Sequence, residues 1–302
     1  MSAVDQFITA IESAGMAPPT TLHDDGKLHR FSPTGKRGDD AGWYVLHLDG
    51  VPAGSFGDWR SGESQTWCAK PDRNLSPAER QVVRERIRAA QRLRDAETMR
   101  RNDEAASAAR AIWEAAALAV VHPYLTAKGV KPHGLRVGRY GNLLVPMRDA
   151  GGHLLSLQTI GADGSKRFMA GGQVKGCYHS IGAIKDRLVV CEGYATGATI
   201  HEDTGDAVAC AFSASNLLPV TQSLRKKYPA LAIVIAADDD AHLAVNTGLQ
   251  SAKIAALSIR APVVVARHLD RDPTQPCDFN DLHALYGPDA VRACFAELEV
   301  PT

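Results

Sequence analysis

Residues 232–242 read AIVIAADDDAH, a run of small and β-branched apolar residues that ends in three consecutive aspartates. The apolar half has the length and composition of a strand buried on both faces. A solvated turn after such a strand would need one Asp beside a Gly or Asn, and nothing nearby relieves the repulsion among three. A divalent cation held by the carboxylates supplies the missing positive charge. Side chains two apart on extended backbone point the same way. Asp238 and Asp240 are therefore expected to share the metal, while Asp239 points elsewhere. Small Ala236 and Ala237 leave the approach open.

Working outward, this strand belongs to an alternating series. DRLVVCEG (186–193), DAVACAF (206–212), LAIVIAADDD (231–240) and APVVVARHL (261–269) have strand character. YATGATIHEDTG (194–205), SNLLPVTQSLRKKYP (215–229), NTGLQSAKIAALSIR (246–260) and DFNDLHALYGPDAVRACFAELE (278–299) have helix character. Apolar strands alternating with amphipathic helices predict a parallel sheet covered on both faces. Such sheets bind ligands outside the carboxyl ends of their strands. That rule gathers Glu192, at the end of LVVCEG, with Asp238 and Asp240. Asp278 and Asp281, in CDFNDLH, follow the last strand and are candidates to complete the cluster, although Asp278 also reads as a helix N-cap.

The upstream chain has a different texture. Residues 1–72 combine a short amphipathic helix with turn-punctuated aromatic runs, and predict a small β-rich domain. Three of the four tryptophans (Trp43, Trp59 and Trp67) fall there, with Arg30, Lys36, Arg37 and Arg60. Tryptophans of a small β domain commonly form its core. Trp59, flanked by Asp58 and Arg60, is the candidate for an exposed ring that stacks on bases. Residues 73–118 predict a long, charged connector helix. Ser76 is its N-cap, Pro77 its first helical residue and Glu79 the partner of a capping box. Its arginines are interleaved with acids, as on a surface held by ion pairs. Residues 119–182 read as short strands and turns, including a hairpin over VPMRDAGGHLLSLQTI (145–160). Residues 183–302 hold the alternating pattern.

Composition narrows the functional classes. Lys plus Arg and Asp plus Glu both number 34, so the net charge is zero and indiscriminate coating of nucleic acid is disfavoured. The six cysteines are scattered without a CxxC pair, so no zinc ribbon is expected and the thiols read as buried in a reducing cytoplasm. Neither a signal peptide nor a membrane span is expected.

VVCEGYATGATI (189–200) and IVIAADDDAH (233–242) resemble the two signatures of the Toprim domain, shared by bacterial-type primases, topoisomerases and some nucleases. HPYLTAKGV (122–130) and the basic strand region before the Toprim part are similar to the catalytic core of primases carried by plasmids, phages and integrative elements. The resemblance covers residues 119–302. It implies an α/β fold: a Toprim-like parallel sheet with helices on both faces, preceded by a small mixed α+β basic subdomain, the connector helix and the β-rich N-terminal domain. By the resemblance, Glu192 matches the Toprim glutamate and Asp238 and Asp240 its metal-binding DxD. Asp278 and Asp281 look like the later acidic motif of primases. The implied activity is primer synthesis from nucleoside triphosphates on single-stranded DNA, with Mg²⁺ or Mn²⁺ as cofactor. Lys166, Arg167, Lys175 and Arg148 are the candidates for nucleotide and template phosphates. A separate replicative helicase or replication protein is the expected partner, and the cytoplasm the expected location. Two features depart from replicative primases. Thr196 stands where they usually carry an Asp, and their N-terminal zinc ribbon has no counterpart. A Toprim nuclease, and a non-catalytic single-stranded nucleic-acid-binding or partner-loading module, are the alternative readings.

Overall fold

The computed structural model describes residues 1–239, 246–267 and 277–296. The chain forms two compact units, residues 1–100 and 101–302.

In the first unit, helix α1 (Ala3–Ser13) opens with a capping box. Ser2 Oγ accepts from the Asp5 N–H and the Asp5 carboxylate accepts from the Ser2 N–H. Phe7 and Ile11, one turn apart, bury onto an antiparallel sheet of β1 (His29–Phe31), β2 (Gly42–His47), β3 (Ala53–Asp58) and β4 (Ser64–Cys68), in that order. The Phe7 ring meets Tyr44, Phe56 and Trp67 edge-on. That packing requires Gly54, because a Cβ there would stand 2.7 Å from the Val45 carbonyl and 2.9 Å from the Phe7 ring.

Helix α2 (Pro77–Ala115) begins where its capping signals predict, with Ser76 Oγ accepting from the Glu79 N–H and Glu79 accepting from the Ser76 N–H. Its arginines pair locally, as in Arg100–Glu97 at 2.7 Å and Arg94–Asp95 at 2.9 Å. The helix nevertheless carries small apolar anchors. Val83 and Ile87 pack with Val51, Ala53 and Leu75 in the first unit. Ala109 and Trp113 pack with Leu154, Leu157 and Met169 in the second.

The second unit holds two sheets. The antiparallel one runs β5 (Ala117–Leu118), β6 (Arg136–Val137), β7 (Leu143–Arg148), β8 (Leu154–Ile160) and β9 (Lys166–Phe168), in that order, with helix α3 (Pro123–Lys128) beside it in sequence. The expected hairpin is β7–β8, closed by the Asp149 carboxylate accepting from the His153 N–H. The other sheet has the order β10 (His179–Ile181), β12 (Ala207–Cys210), β11 (Arg187–Cys191), β13 (Ala232–Ala237), β14 (Val263–Val265). All its pairings are parallel except β10–β12. Edge strand β10 comes from the segment that reads as the preceding subdomain. Helices α4 (Tyr194–Thr204), α5 (Ala214–Lys227) and α6 (Thr247–Ile259) connect the strands, and α7 (Phe279–Tyr286) and α8 (Pro288–Ala296) follow.

Alternate residues of each parallel strand serve opposite faces. Val189, Cys191, Val208, Cys210, Val234 and Ala236 share a core with α4, α7 and α8, which continues into β7 through Leu143, Val145 and Met147. Leu188, Val190, Ala207, Ala209, Ile233 and Ile235 pack under α5 and α6. Both faces are covered, as the alternation predicts. Helix α4 lies so close to the sheet that a Cβ on Gly197 would fall onto the sulfurs of Cys210 and Cys191. Gly197→Ala is therefore expected to destabilise the protein by about 1–3 kcal/mol through overpacking, read as a lower denaturant midpoint at unchanged slope.

Candidate active site

Strand β11 lies between β12 and β13. The chain leaves it through α4 toward β12, returns across it, and leaves β13 through α6 toward β14. The two connections diverge on opposite faces, so the crevice at the carboxyl ends of β11 and β13 is the topological switch point of the sheet. Glu192 follows β11 directly and Asp238 follows β13 directly. The register aligns Val190 with Ile235, and continuing it sets Glu192 beside Ala237, one residue before Asp238. Glu192 is anchored by its main chain, its carbonyl accepting from the Phe212 N–H at 2.7 Å.

Asp239 is buried and tied into the frame. Its backbone exchanges two hydrogen bonds with Cys277, at 2.8 and 3.2 Å. Its carboxylate accepts from Asn246 Nδ2 at 2.8 Å, and Asn246 in turn caps α6. Asp239 thus ties the end of β13 to the next helix. Asp240 lies outside the described residues.

Asp278 and Asp281 form the capping box of α7, Asp278 Oδ1 accepting from the Asp281 N–H at 2.8 Å. The other Asp278 oxygen accepts from Thr196 Oγ1 at 3.4 Å. This places Asp278 against the first turn of α4, immediately after Glu192. A carboxylate at position 196 would face that of Asp278, whereas the threonine hydroxyl donates to it. Asn280, also buried, bonds to the Lys128 carbonyl and to Thr199 Oγ1, which fastens the HPYLTAKGV segment to α4 and α7.

The basic candidates separate. Lys166 is the first residue of β9, and a side chain at Gly193 would stand 3.9 Å from its Nζ and 3.6 Å from Thr196 Oγ1. Gly193 thus sits between an ammonium, a hydroxyl and the first turn of α4, which has no side-chain cap. Arg167, next along the strand, faces a polar hollow of about 360 Å³ with Asn142, Thr159, Asp163 and Ser165. Lys175 is exposed, and the adjacent Gly176 N–H bonds to Asn216 Oδ1 in the first turn of α5. That turn also stands at the carboxyl end of the sheet. Arg148 does not join this group. It lines a cavity of about 350 Å³ with Leu188 and Ala207, the amino ends of β11 and β12, and with Leu224 and Lys227 near the end of α5. Trp59 also departs from expectation. It is half-buried, its Nε1 donates to Thr98 Oγ1 at 3.2 Å, the Arg30 guanidinium lies 5.1 Å from its ring and Trp43 packs at 6.1 Å. A face covered by a guanidinium is not offered to a base.

Electrostatics reports the convergence of acids. Burial pushes the Cys277 thiol up to about 12, with Asp281, Asp278, Asp239 and Asp238 adding to the rise. The Cys191 thiol is raised well above its usual range by its hydrogen bond with Cys210, by burial, and by Asp238 and Glu192. Among the described residues no three His, Cys, Asp or Glu side chains form a ready metal cage. The donors at the crevice, Glu192 and Asp238, are carboxylate oxygens, a set suited to a hard cation that keeps part of its water.

Two residues that sequence reasoning missed border the same crevice. Phe212 carries φ of 73°, a left-handed conformation rare for an aromatic residue, and nothing in the sequence signals it. Phe168 stands two residues after Lys166, on the same face of β9.

The fold and the crevice define a Toprim domain, and residues 187–289 match the Toprim domain family model. Two curated relatives, both DNA primase TraC of Escherichia coli, are 36% identical over 81% of this chain and 32% identical over 92% of it. The chain spans 24% and 20% of their respective lengths. The chain is thus a Toprim-domain relative of the plasmid-type DNA primases. Among solved structures, the primase fragment of the bacteriophage T7 primase-helicase protein aligns at 19% identity and a TM-score of 0.43, over 56% of this chain and 72% of that one. No described helix is long and apolar enough to cross a membrane.

Proposed function

We propose that this chain synthesises short primers, joining nucleoside triphosphates on a single-stranded DNA template for the replication of a mobile element. The observation that carries the proposal is that Glu192 and Asp238 end neighbouring parallel strands at the switch point, with the Lys166 ammonium beside Gly193, the residue after Glu192. A bare carboxylate pair would repel a triphosphate. With a lysine beside it and a divalent cation between, the same pair receives one.

Glu192 and Asp238, with Asp240, would hold Mg²⁺ or Mn²⁺, which when bound lowers the pKa of an attacking hydroxyl and neutralises charge on the leaving oxygens. Lys166 is assigned to the phosphates of the incoming nucleotide, and the first turn of α4 presents N–H groups to the same anion. Lys175, beside the first turn of α5, is assigned to the phosphate tail or the template backbone. Arg167, on the opposite face of β9, is assigned to the template. Asp278 and Asp281 cap α7, Asp278 also accepting from Thr196, and both would stand as further carboxylates for the metal. A separate helicase or replication protein remains the proposed partner.

A Toprim nuclease would use the same carboxylates on water. The discriminating experiment incubates the protein with single-stranded DNA, labelled nucleoside triphosphates and Mg²⁺ or Mn²⁺. Short labelled products that require template, metal and triphosphate are expected. Degraded template without synthesis would favour the nuclease, and neither outcome would favour a binding module.

A further inference from the structure

Phe168 is 41% exposed on the edge strand β9, and its ring meets that of Phe212 edge-on, with centroids 6.3 Å apart. An isolated exposed phenylalanine is ordinary on a protein surface. This one shares a strand face with Lys166, two residues and roughly 6.6 Å away, and the ammonium of that lysine lies beside Gly193, the residue after Glu192. The supporting ring is held unusually. Phe212 keeps its left-handed backbone while its N–H donates to the Glu192 carbonyl, and its side chain is 8% exposed. A bulky residue persists in that conformation only where its surroundings over-determine it, and such outliers cluster at functional sites. The same residue that anchors Glu192 therefore seats Phe168.

Resting on the primase reading, we propose that Phe168 is a stacking platform for the base of the nucleotide whose phosphates Lys166 receives, with Phe212 as its positioning residue. A nucleotide carries its flat base and its polyanionic tail on opposite sides of the sugar. An aromatic face beside an ammonium, both next to the metal-binding carboxylates, matches that division. Stacking is tolerant of sequence because every base has a π-face, so the platform serves all four nucleotides.

The test compares direct binding of ATP and of inorganic tripolyphosphate, both with Mg²⁺, to the full chain. Phe168→Ala and Phe168→Leu are expected to weaken ATP about tenfold and leave tripolyphosphate within twofold, while Phe168→Tyr restores ATP affinity. Phe212→Gly, which suits the positive φ, is expected to weaken ATP less and to add nothing in the double variant with Phe168→Ala. Equal weakening of ATP and tripolyphosphate would make the ring a structural support and overturn the platform. Unchanged ATP affinity with weakened single-stranded DNA binding would overturn it in favour of a template contact. Wild-type protein that binds neither probe would overturn the primase reading itself, and the platform with it.

Discussion

The Asp238→Ala protein is expected to fold normally and to lose metal-dependent primer synthesis by on the order of a thousandfold, the worth of several kcal/mol of charge stabilisation. Asp238 follows β13 at the switch point, among carboxylates that raise two neighbouring thiols. Removing one of several like charges relieves repulsion when no cation is present, so the variant should melt no lower than wild type in chelator. Added Mg²⁺ should raise the wild-type melting temperature by mass action and leave that of the variant nearly unchanged. Asp239→Ala is expected to behave in the opposite way. It loses the hydrogen bond from Asn246, at a cost of about 1–3 kcal/mol, and retains synthesis within severalfold. Equal loss of synthesis from both substitutions, at equal stability, would refute the assignment of Asp238 to the metal and Asp239 to the frame.

That pair also marks what was legible in the sequence. The parallel sheet followed from the run of apolar strands and amphipathic helices, because burial on both faces leaves a strand no polar positions. The two-residue repeat of extended backbone set Asp239 apart from Asp238 and Asp240; Asp239 is bound by Asn246, and Asp240 lies outside the described residues. The start of α2 followed from Ser76, Pro77 and Glu79, since capping is local chemistry. Features that depend on which strand comes to lie beside which were not legible. His179–Ile181 reads as any short strand, and only its pairing with β12 makes it part of the Toprim sheet. Trp59 reads as exposed because Asp58 and Arg60 flank it, yet Thr98, 39 positions downstream, engages its indole nitrogen.

Thr196 shows how a departure from a motif is absorbed. Thr196 is 2% exposed and its hydroxyl donates to Asp278, which is itself bound into the cap of α7. In the sequence, Thr196 is simply a threonine where replicative primases usually carry an aspartate. In the fold, the threonine joins α4 to α7 and steadies the turn that carries Glu192. An aspartate there would need a cation to face Asp278, so the position trades a carboxylate for a neutral brace.

The two basic residues of β9 should separate by phenotype. Neighbouring side chains of a strand point to opposite faces, so Lys166 and Arg167 cannot serve the same ligand atom. By chemistry alone Arg167 is the stronger phosphate ligand, because a guanidinium can make two parallel hydrogen bonds and an ammonium cannot. By position it is Lys166 that approaches Gly193 and the switch point, while Arg167 faces Thr159, Asp163 and Ser165. Lys166→Ala is expected to raise the apparent KM for nucleoside triphosphates about ten- to a hundredfold, the range for losing a charge-assisted contact, and to leave DNA affinity nearly unchanged. Arg167→Ala is expected to leave that KM within twofold and to weaken single-stranded DNA binding. The salt slope of its DNA affinity should then fall by about 0.7, the value for one phosphate on a single strand. Steady-state kinetics at saturating template and binding titrations across a salt series measure the two effects independently. If Arg167→Ala raises the KM and Lys166→Ala does not, geometry has misassigned the face of β9, and the nucleotide lies on the side of the polar hollow.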